Sequence, residues 1–575
     1  MKTEMTANAS EKLNARDDLA ATLRATAARA PALCGAVLLA LCVLAAAVPA
    51  QAQRRDSFSN PVAAGDFPDP TVIRVGRDYW ATATTSEWGP EYPILHSRDL
   101  VNWDVVGVVF PRRPAWAGGS FWAPELAHDR GRFFLYYTAR KKGGPLCVAV
   151  ATAARARGPY TDHGPMVCQE VGSIDPFPVT DASGRRFLFW KEDGNSVSKP
   201  TIIWAQRLSA DGTRLVGERR EVMRNDQAWE KHATLPYGDL VEGPAIVRRG
   251  GWYYMFYSGN FCCARECNYA MGVARARDLL GPWEKKPDNP ILTGNDNWRC
   301  PGHGTVIDDG RGRHWLLYHA YDAKDFVYVG RQALLDEVTW GADGWPAING
   351  GRGPSEGAAS RNGARARTTT RGFFEDFTRA PLHPLWQWPG ADVPAFRIEP
   401  ARGGHLVLSP SRAADGNPSA AVLGRPTTSG DYVATAVIDL TGLRGSETAG
   451  LSAYGDAENA LGVSVERDGG TVLWRREKGA LISTTMPVPA SMRRRPLTTL
   501  HLRMTARGGH LYRFSASADG RTWHDLGDEQ EGAHLPPWDR GVRVALVAGA
   551  VRGAGPGAAR GAGARFDSLR IEPTR

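Results

Sequence analysis

The chain has 575 residues, too many for one ordinary domain, so two or three are expected. An apolar share of 42% and 19 tryptophans are enough for sizeable cores, and flat aromatic rings are also common where sugars bind. The net charge of +9 is spread over arginines with acids among them. It forms no basic stripe and accompanies no nucleic-acid module, so it reads as a solvated surface and nucleic acid is set aside as a partner.

Residues 1–52 come first. Arg24 and Arg29 precede the apolar run "LCGAVLLALCVLAAAVPA", which ends in "AQA" at Ala50 to Ala52. A basic region, an apolar region and a small-residue cleavage site make a secretory signal, so the chain is expected to be secreted or periplasmic. The run is nearly long enough to span a bilayer, and a retained anchor is the competing reading. No stable membrane association is expected after cleavage. Six cysteines follow the signal: Cys147, Cys168, Cys262, Cys263, Cys267 and Cys300. In an oxidising compartment they can pair, in an order the sequence leaves open. "FCCAREC" lacks a second Cys/His pair at zinc spacing, which favours disulfides over a metal.

Residues 53–349 carry a repeat. A glycine turn followed by alternating aromatics recurs as "VGRDYWATAT", "RGRFFLYYTA", "SGRRFLFWKE", "RGGWYYMFYSG" and "RGRHWLLYHA". Self-similarity at a period of roughly 55 to 65 residues, with several strands per unit, predicts a five-bladed β-propeller. Upstream of each glycine turn stands a short strand-like run: "PDPTVIRV", "WAPELAH", "SIDPFPV", "VEGPAIV" and "GHGTVID". The first strand of each blade lines the central channel, so Asp69, Trp122, Asp175, Glu242 and His303 are expected around one pocket.

Residues 350–371, rich in Gly, Ser, Thr and Arg, read as a linker whose length favours loose tethering. Residues 372–575 show short alternating runs at regular spacing and predict an antiparallel β-sandwich. The fold class is all-β throughout.

Three carboxylates at one repeat phase are the strongest chemical signal. Cleaving a glycosidic bond needs a proton donor for the leaving oxygen and a second carboxylate as base or nucleophile. A third negative group beside the acid disfavours its ionisation. Asp69 before Pro70 and Asp175 before Pro176 are expected in extended backbone, since proline pushes its predecessor there. Asp66 lies off this register and reads as a loop or capping residue.

The ordered set "FPDPTVIRVGRDYW", "PILHSRDLVNW", "FWAPEL", "SIDPFPV", "KEDGNS", "VEGPAIV", "PGHG" and "GRQALLDEVTW" resembles glycoside hydrolase family 43. The region from "GFFEDF" onward resembles the concanavalin-like sandwich of its β-xylosidase-type members, where it lends a loop to the active-site rim. The resemblance implies a hydrolase with an inverting mechanism: Asp69 as general base, Glu242 as general acid, and Asp175 as the residue that raises the acid's pKa. It places Arg331 on sugar hydroxyls, Trp122 and Trp88 at the floor of the sugar site, and His303 in the channel near calcium or water. No cofactor is required, and Ca2+ beside His303 is the one ion considered. The implied substrate is an oligo- or polysaccharide of xylan or arabinan type, cleaved as by a β-xylosidase or α-L-arabinofuranosidase. Two alternatives stand: an endo-arabinanase of the same family, and a catalytically inactive carbohydrate-binding propeller.

Overall fold

Twenty strands between Thr71 and Ile348 form five four-stranded antiparallel sheets, each built from strands in chain order, with the short strand Trp88–Gly89 left out of the first. The computed structural model describes residues 57–235, 238–359, 372–390, 392–400, 403–410, 416–487, 497–550 and 563–574. The signal segment and residues 360–371 of the linker lie outside them. Each glycine turn leads into the second strand of a blade, and the aromatic runs are buried on both faces. In Arg132–Lys141 seven consecutive residues are buried. Blades packed on either side leave such a strand no solvent face, which is why it carries aromatics at successive positions.

The innermost strands are Thr71–Val75, Ala117–Asp129, Ser173–Thr180, Val241–Arg249 and Trp298–Asp308. Each neighbours the next, and the fifth neighbours the first, so the five sheets close into the expected propeller. The segment before the first blade completes the ring. Val62 N–H donates to Ala333 O at 2.9 Å and Phe67 N–H to Arg331 O at 2.8 Å, both on the fifth blade.

Beyond the linker two antiparallel sheets of nine and six strands form the sandwich. Tyr432–Asp439 alternates buried and half-buried residues without exception, the period expected of a strand with one face on a core. The sandwich is not loosely held. Trp388–Pro389 pairs with Trp88–Gly89 of the first blade. Leu240, Tyr269 and Tyr328 of the propeller share one apolar cluster with Trp386, Leu423 and Leu546 of the sandwich.

The six cysteines form three disulfides: Cys147–Cys168, the adjacent pair Cys262–Cys263, and Cys267–Cys300.

Candidate active site

The functional residues cluster where four of the innermost strands break their ladders and just ahead of the first, Thr71–Val75. Register shifts fall between Trp122 and Glu125, Ile174 and Phe177, Glu242 and Ala245, and Gly302 and Gly304. At the same phase the backbone turns left-handed, with φ of 50° at Asp69, 34° at Ala123, 56° at Asp175, 59° at Gly243 and 37° at His303. This corrects the extended backbone expected of Asp69 and Asp175. A bulge bends the strand and re-aims side chains, and here it turns them to the channel mouth. The strain at these residues is offset by capture of their N–H groups. Asp69 N–H donates to His319 Nδ1 at 3.0 Å, Ala123 N–H to Thr84 Oγ1 at 2.7 Å and Asp175 N–H to Thr138 Oγ1 at 3.1 Å. Gly243 N–H donates to Asp175 Oδ2 at 3.0 Å and His303 N–H to Ser258 Oγ at 2.8 Å. A Cβ on Gly243 would stand 3.0 Å from the His303 ring, so the "EGP" glycine is required for space as well as for φ.

Asp69 is buried and fully engaged. Arg331 Nη1 donates to its Oδ1 at 2.9 Å, and Thr84 Oγ1 donates to its Oδ2 at 2.7 Å. Burial alone would push this carboxyl up. The Arg331 guanidinium, with help from His303, more than reverses that and holds it far below the usual carboxylate range. His319 Nδ1 also lies 3.2 Å from Asp69 Oδ1. A backbone N–H can only donate, so that nitrogen is the acceptor for Asp69 N–H and the imidazole is neutral. Burial, chiefly, agrees by holding His319 down at about 4.

Asp175 and Glu242 form the second half of the site. Glu242 Oε2 accepts from Lys191 Nζ at 2.6 Å and Oε1 accepts from the Tyr269 hydroxyl at 2.8 Å. Lys191 also stands 3.0 Å from Asp193 Oδ1 and is almost wholly buried. Burial raises Asp175 to about 7, with the Glu242 charge adding to it. Burial acts on Glu242 too, but the Lys191 ammonium outweighs it and holds that carboxyl below its ordinary value. The two titrate as a pair. Burial thus pushes Asp175 up while Lys191 pulls Glu242 down, whereas the sequence led to a raised Glu242. The reason is Lys191, which the sequence reading passed over although "KEDGNS" contains it.

His303 Nδ1 lies 3.5 Å from Asp69 Oδ1. Calcium takes about six to eight oxygen ligands. Among the described residues no group of three or more His, Cys, Asp or Glu is placed to hold a metal. Asp69, which stands beside His303, is itself held by Arg331.

Trp122 is half-buried at the mouth, its Nε1–H donating to Ser86 Oγ at 2.8 Å. Trp88 is not at the floor. It is 2% exposed and packs among Val422, Tyr454 and Trp474 of the sandwich, with Arg543 over its ring. Its loop is covered by the second domain, which no property of the loop itself announces.

The sandwich also reaches the site. Ser86 Oγ donates to Asp539 Oδ2, and Arg331 Nη2 donates to the Asp539 carbonyl oxygen at 3.2 Å. Trp538 meets Trp122 edge to face at 5.6 Å between ring centroids and keeps 48% of its surface exposed. Lys191, Asp193, Tyr269, His319, Ser86, Trp538 and Asp539 were therefore missed. The shared repeat phase could have flagged only Lys191 and His319, which lie on the second strands of their blades.

Residues 58–346 match the family described as Glycosyl hydrolases family 43, and residues 375–572 match the Beta xylosidase C-terminal Concanavalin A-like domain. The chain is similar to a xylosidase/arabinosidase 43B of Humicola insolens, at 29% identity over 81% of this chain and 88% of the relative. It is 25% identical to a putative beta-xylosidase of Escherichia coli, over 82% of this chain and 90% of the relative. The crystal structure of a xylan beta-1,4-xylosidase from Bacillus halodurans shares the fold, with a TM-score of 0.73 at 22% identity over 90% of this chain and all of that one.

Proposed function

The chain belongs to glycosyl hydrolase family 43, and from that premise we propose that it is an inverting, exo-acting enzyme. It releases xylose or arabinose units from plant cell-wall oligo- and polysaccharides. One observation carries this reading: opposite electrostatic settings of carboxylates at one channel mouth. Arg331 keeps Asp69 ionised, while the Asp175–Glu242 pair retains a proton to about neutral pH. A general base must be ionised when a general acid is protonated; Arg331 secures the first, and the proton held between Asp175 and Glu242 is the one Glu242 must carry for the second.

In the proposed reaction Asp69 accepts a proton from a water that attacks the anomeric carbon on the face opposite the leaving group. Glu242 gives its proton to the glycosidic oxygen as that bond breaks. Asp175, beside both, keeps the acid side of the site protonated. Trp538, standing over one side of Trp122, narrows the mouth and supports exo rather than endo action. The substrates in the names of the relatives support a pentose in the site. Export to an oxidising compartment is part of the same reading, supported by three disulfides among six cysteines.

The test follows the anomeric proton by NMR during the first minutes of hydrolysis of nitrophenyl β-xyloside and α-L-arabinofuranoside. The first-formed sugar is expected to carry the inverted anomer, and Glu242→Ala to lose turnover of unactivated xylobiose. A first-formed sugar with retained configuration overturns the mechanism. Turnover of wild type and Glu242→Ala alike at background on a full glycoside panel favours a binding module.

A further inference from the structure

Lys191 is an unusual residue to find where it is. Lysine is almost never fully buried unless paired, and this one is 1% exposed between two carboxylates. It closes the second strand of the third blade, Arg186–Glu192, and faces the fourth blade's innermost strand. Its Nζ is 2.6 Å from Glu242 Oε2 and 3.0 Å from Asp193 Oδ1. With the Tyr269 hydroxyl on Oε1, both oxygens of Glu242 accept hydrogen bonds. A carboxyl so held is set up as an anion, yet the proposed reaction needs it to arrive protonated.

We propose that Lys191 is a positioning residue whose ammonium is divided between Glu242 and Asp193, and that Asp193, by drawing it away, sets how readily Glu242 holds the proton it delivers. This rests on the reading of Glu242 as general acid. The groups facing the pair are few. Asp175 comes from the innermost strand of the third blade and Tyr269 from the fourth. His303 faces it from the fifth blade, and Asp69, neutralised by Arg331, from the first. Of these only Lys191 is a permanent cation in contact with Glu242. Among the described residues Asp193 is the only other carboxylate within ion-pair distance of Lys191. The two substitutions therefore act in opposite senses. Removing the ammonium favours the neutral form of Glu242. Removing the Asp193 charge leaves the ammonium wholly on Glu242 and favours its anion. An opposite charge at this range moves a carboxyl by about 1–3 pH units.

The experiment compares pH profiles of kcat/KM for wild type, Lys191→Met, Lys191→Arg and Asp193→Asn. The substrates are xylobiose and dinitrophenyl xyloside, whose leaving group needs no proton. On xylobiose the alkaline limb is expected to move up by about one unit or more in Lys191→Met and down in Asp193→Asn, with Lys191→Arg near wild type. A structural role alone would lower activity without moving the limbs in opposite directions. Limbs that stay in place, or shift the same way, overturn the proposal. If Lys191→Met fails to fold, the downward shift in Asp193→Asn decides alone. Glu242→Ala separates the two readings: equal loss on both substrates sinks the general acid itself, whereas loss on xylobiose only, with unmoved limbs in the other variants, sinks only the role of Lys191.

Discussion

Asp66 and Arg543 stand 477 positions apart and meet in a buried ion pair at 3.0 Å. Asp66 does more than pair. Its Oδ2 accepts Gly541 N–H at 3.0 Å, and its Oδ1 accepts Arg331 N–H at 3.2 Å. One carboxylate thus ties the sandwich to the backbone of the residue whose guanidinium holds Asp69. Removing one partner of a buried pair costs about 3–5 kcal/mol, because the other charge is left uncompensated. Asp66→Asn is expected to lose stability on that order and to lower kcat, since Arg331 loses an anchor. Thermal melts and xyloside kinetics check it. This replaces the sequence reading of Asp66 as a loop or capping residue.

The contrast between Asp66 and Asp69 shows what a sequence can carry. Asp69, Asp175 and Glu242 were legible because five repeats place them at one phase, and periodicity survives without knowledge of contacts. Asp66 and Trp88 owe their roles to a second domain hundreds of residues away, and no local pattern encodes which loop that domain covers. Lys191 was in plain view, but a lysine has no periodic signature that tells a buried cation from a surface one. The left-handed turns at Asp69 and Asp175 ran against the usual effect of a following proline. They exist because neighbouring side chains capture the freed N–H groups.

The pH dependence follows from the two halves of the site. Asp69 is held far below the usual carboxylate range, so its ionised form, and the stability that comes with it, persists above its unfolded value of about 3.9. No acid limb from the base is expected between about pH 4.5 and 6. Asp175 is raised to about 7, so the Asp175–Glu242 pair loses its last proton near there, and kcat/KM is expected to fall above that pH. A profile centred near pH 4, with a steep acid limb in a still-folded protein, would contradict this.

The same raised carboxyl has a stability consequence of opposite sign. A group whose folded value lies above its unfolded one favours the folded state while protonated. That contribution is lost as pH rises from about 3.9 toward 7. Asp175→Asn keeps an oxygen for Gly243 N–H and removes the charge. Relative to wild type, its Tm is expected to gain between pH 5 and pH 8 while turnover collapses. A Tm difference that is flat across that range would sink the idea.

Trp538 comes from the sandwich and presents a half-exposed ring beside Trp122. Trp538→Ala is expected to raise KM for xylo-oligosaccharides several-fold more than it lowers kcat, because the ring touches none of the three carboxylates in the described contacts. It should be close to neutral for stability, as half its surface is already in water. Equal KM values for wild type and variant across a chain-length series would remove the ring from substrate contact.

The Cys267–Cys300 disulfide joins the fourth blade to the fifth across 33 residues. Cys267 lies two residues before Tyr269, whose hydroxyl holds Glu242, and Cys300 three before His303, which stands beside Asp69. Cross-links of this span contribute about 2–4 kcal/mol, and this one also ties the segment that carries Tyr269, beside Glu242, to the strand that carries His303, beside Asp69. Tyr269 and His319 stack in parallel at 5.8 Å, so a shift of the fourth blade reaches Asp69 through the ring that accepts its N–H. Replacing both cysteines by serine is therefore expected to lower Tm and also kcat at temperatures where the variant is fully folded. Cys147–Cys168 spans 21 residues and both its cysteines belong to the second blade and the turn after it. Its loss should cost stability with a smaller effect on kcat. Matched melts and kcat values for the two double variants decide it, and an equal fall in kcat for both would deny the Cys267–Cys300 bridge any special hold on the site.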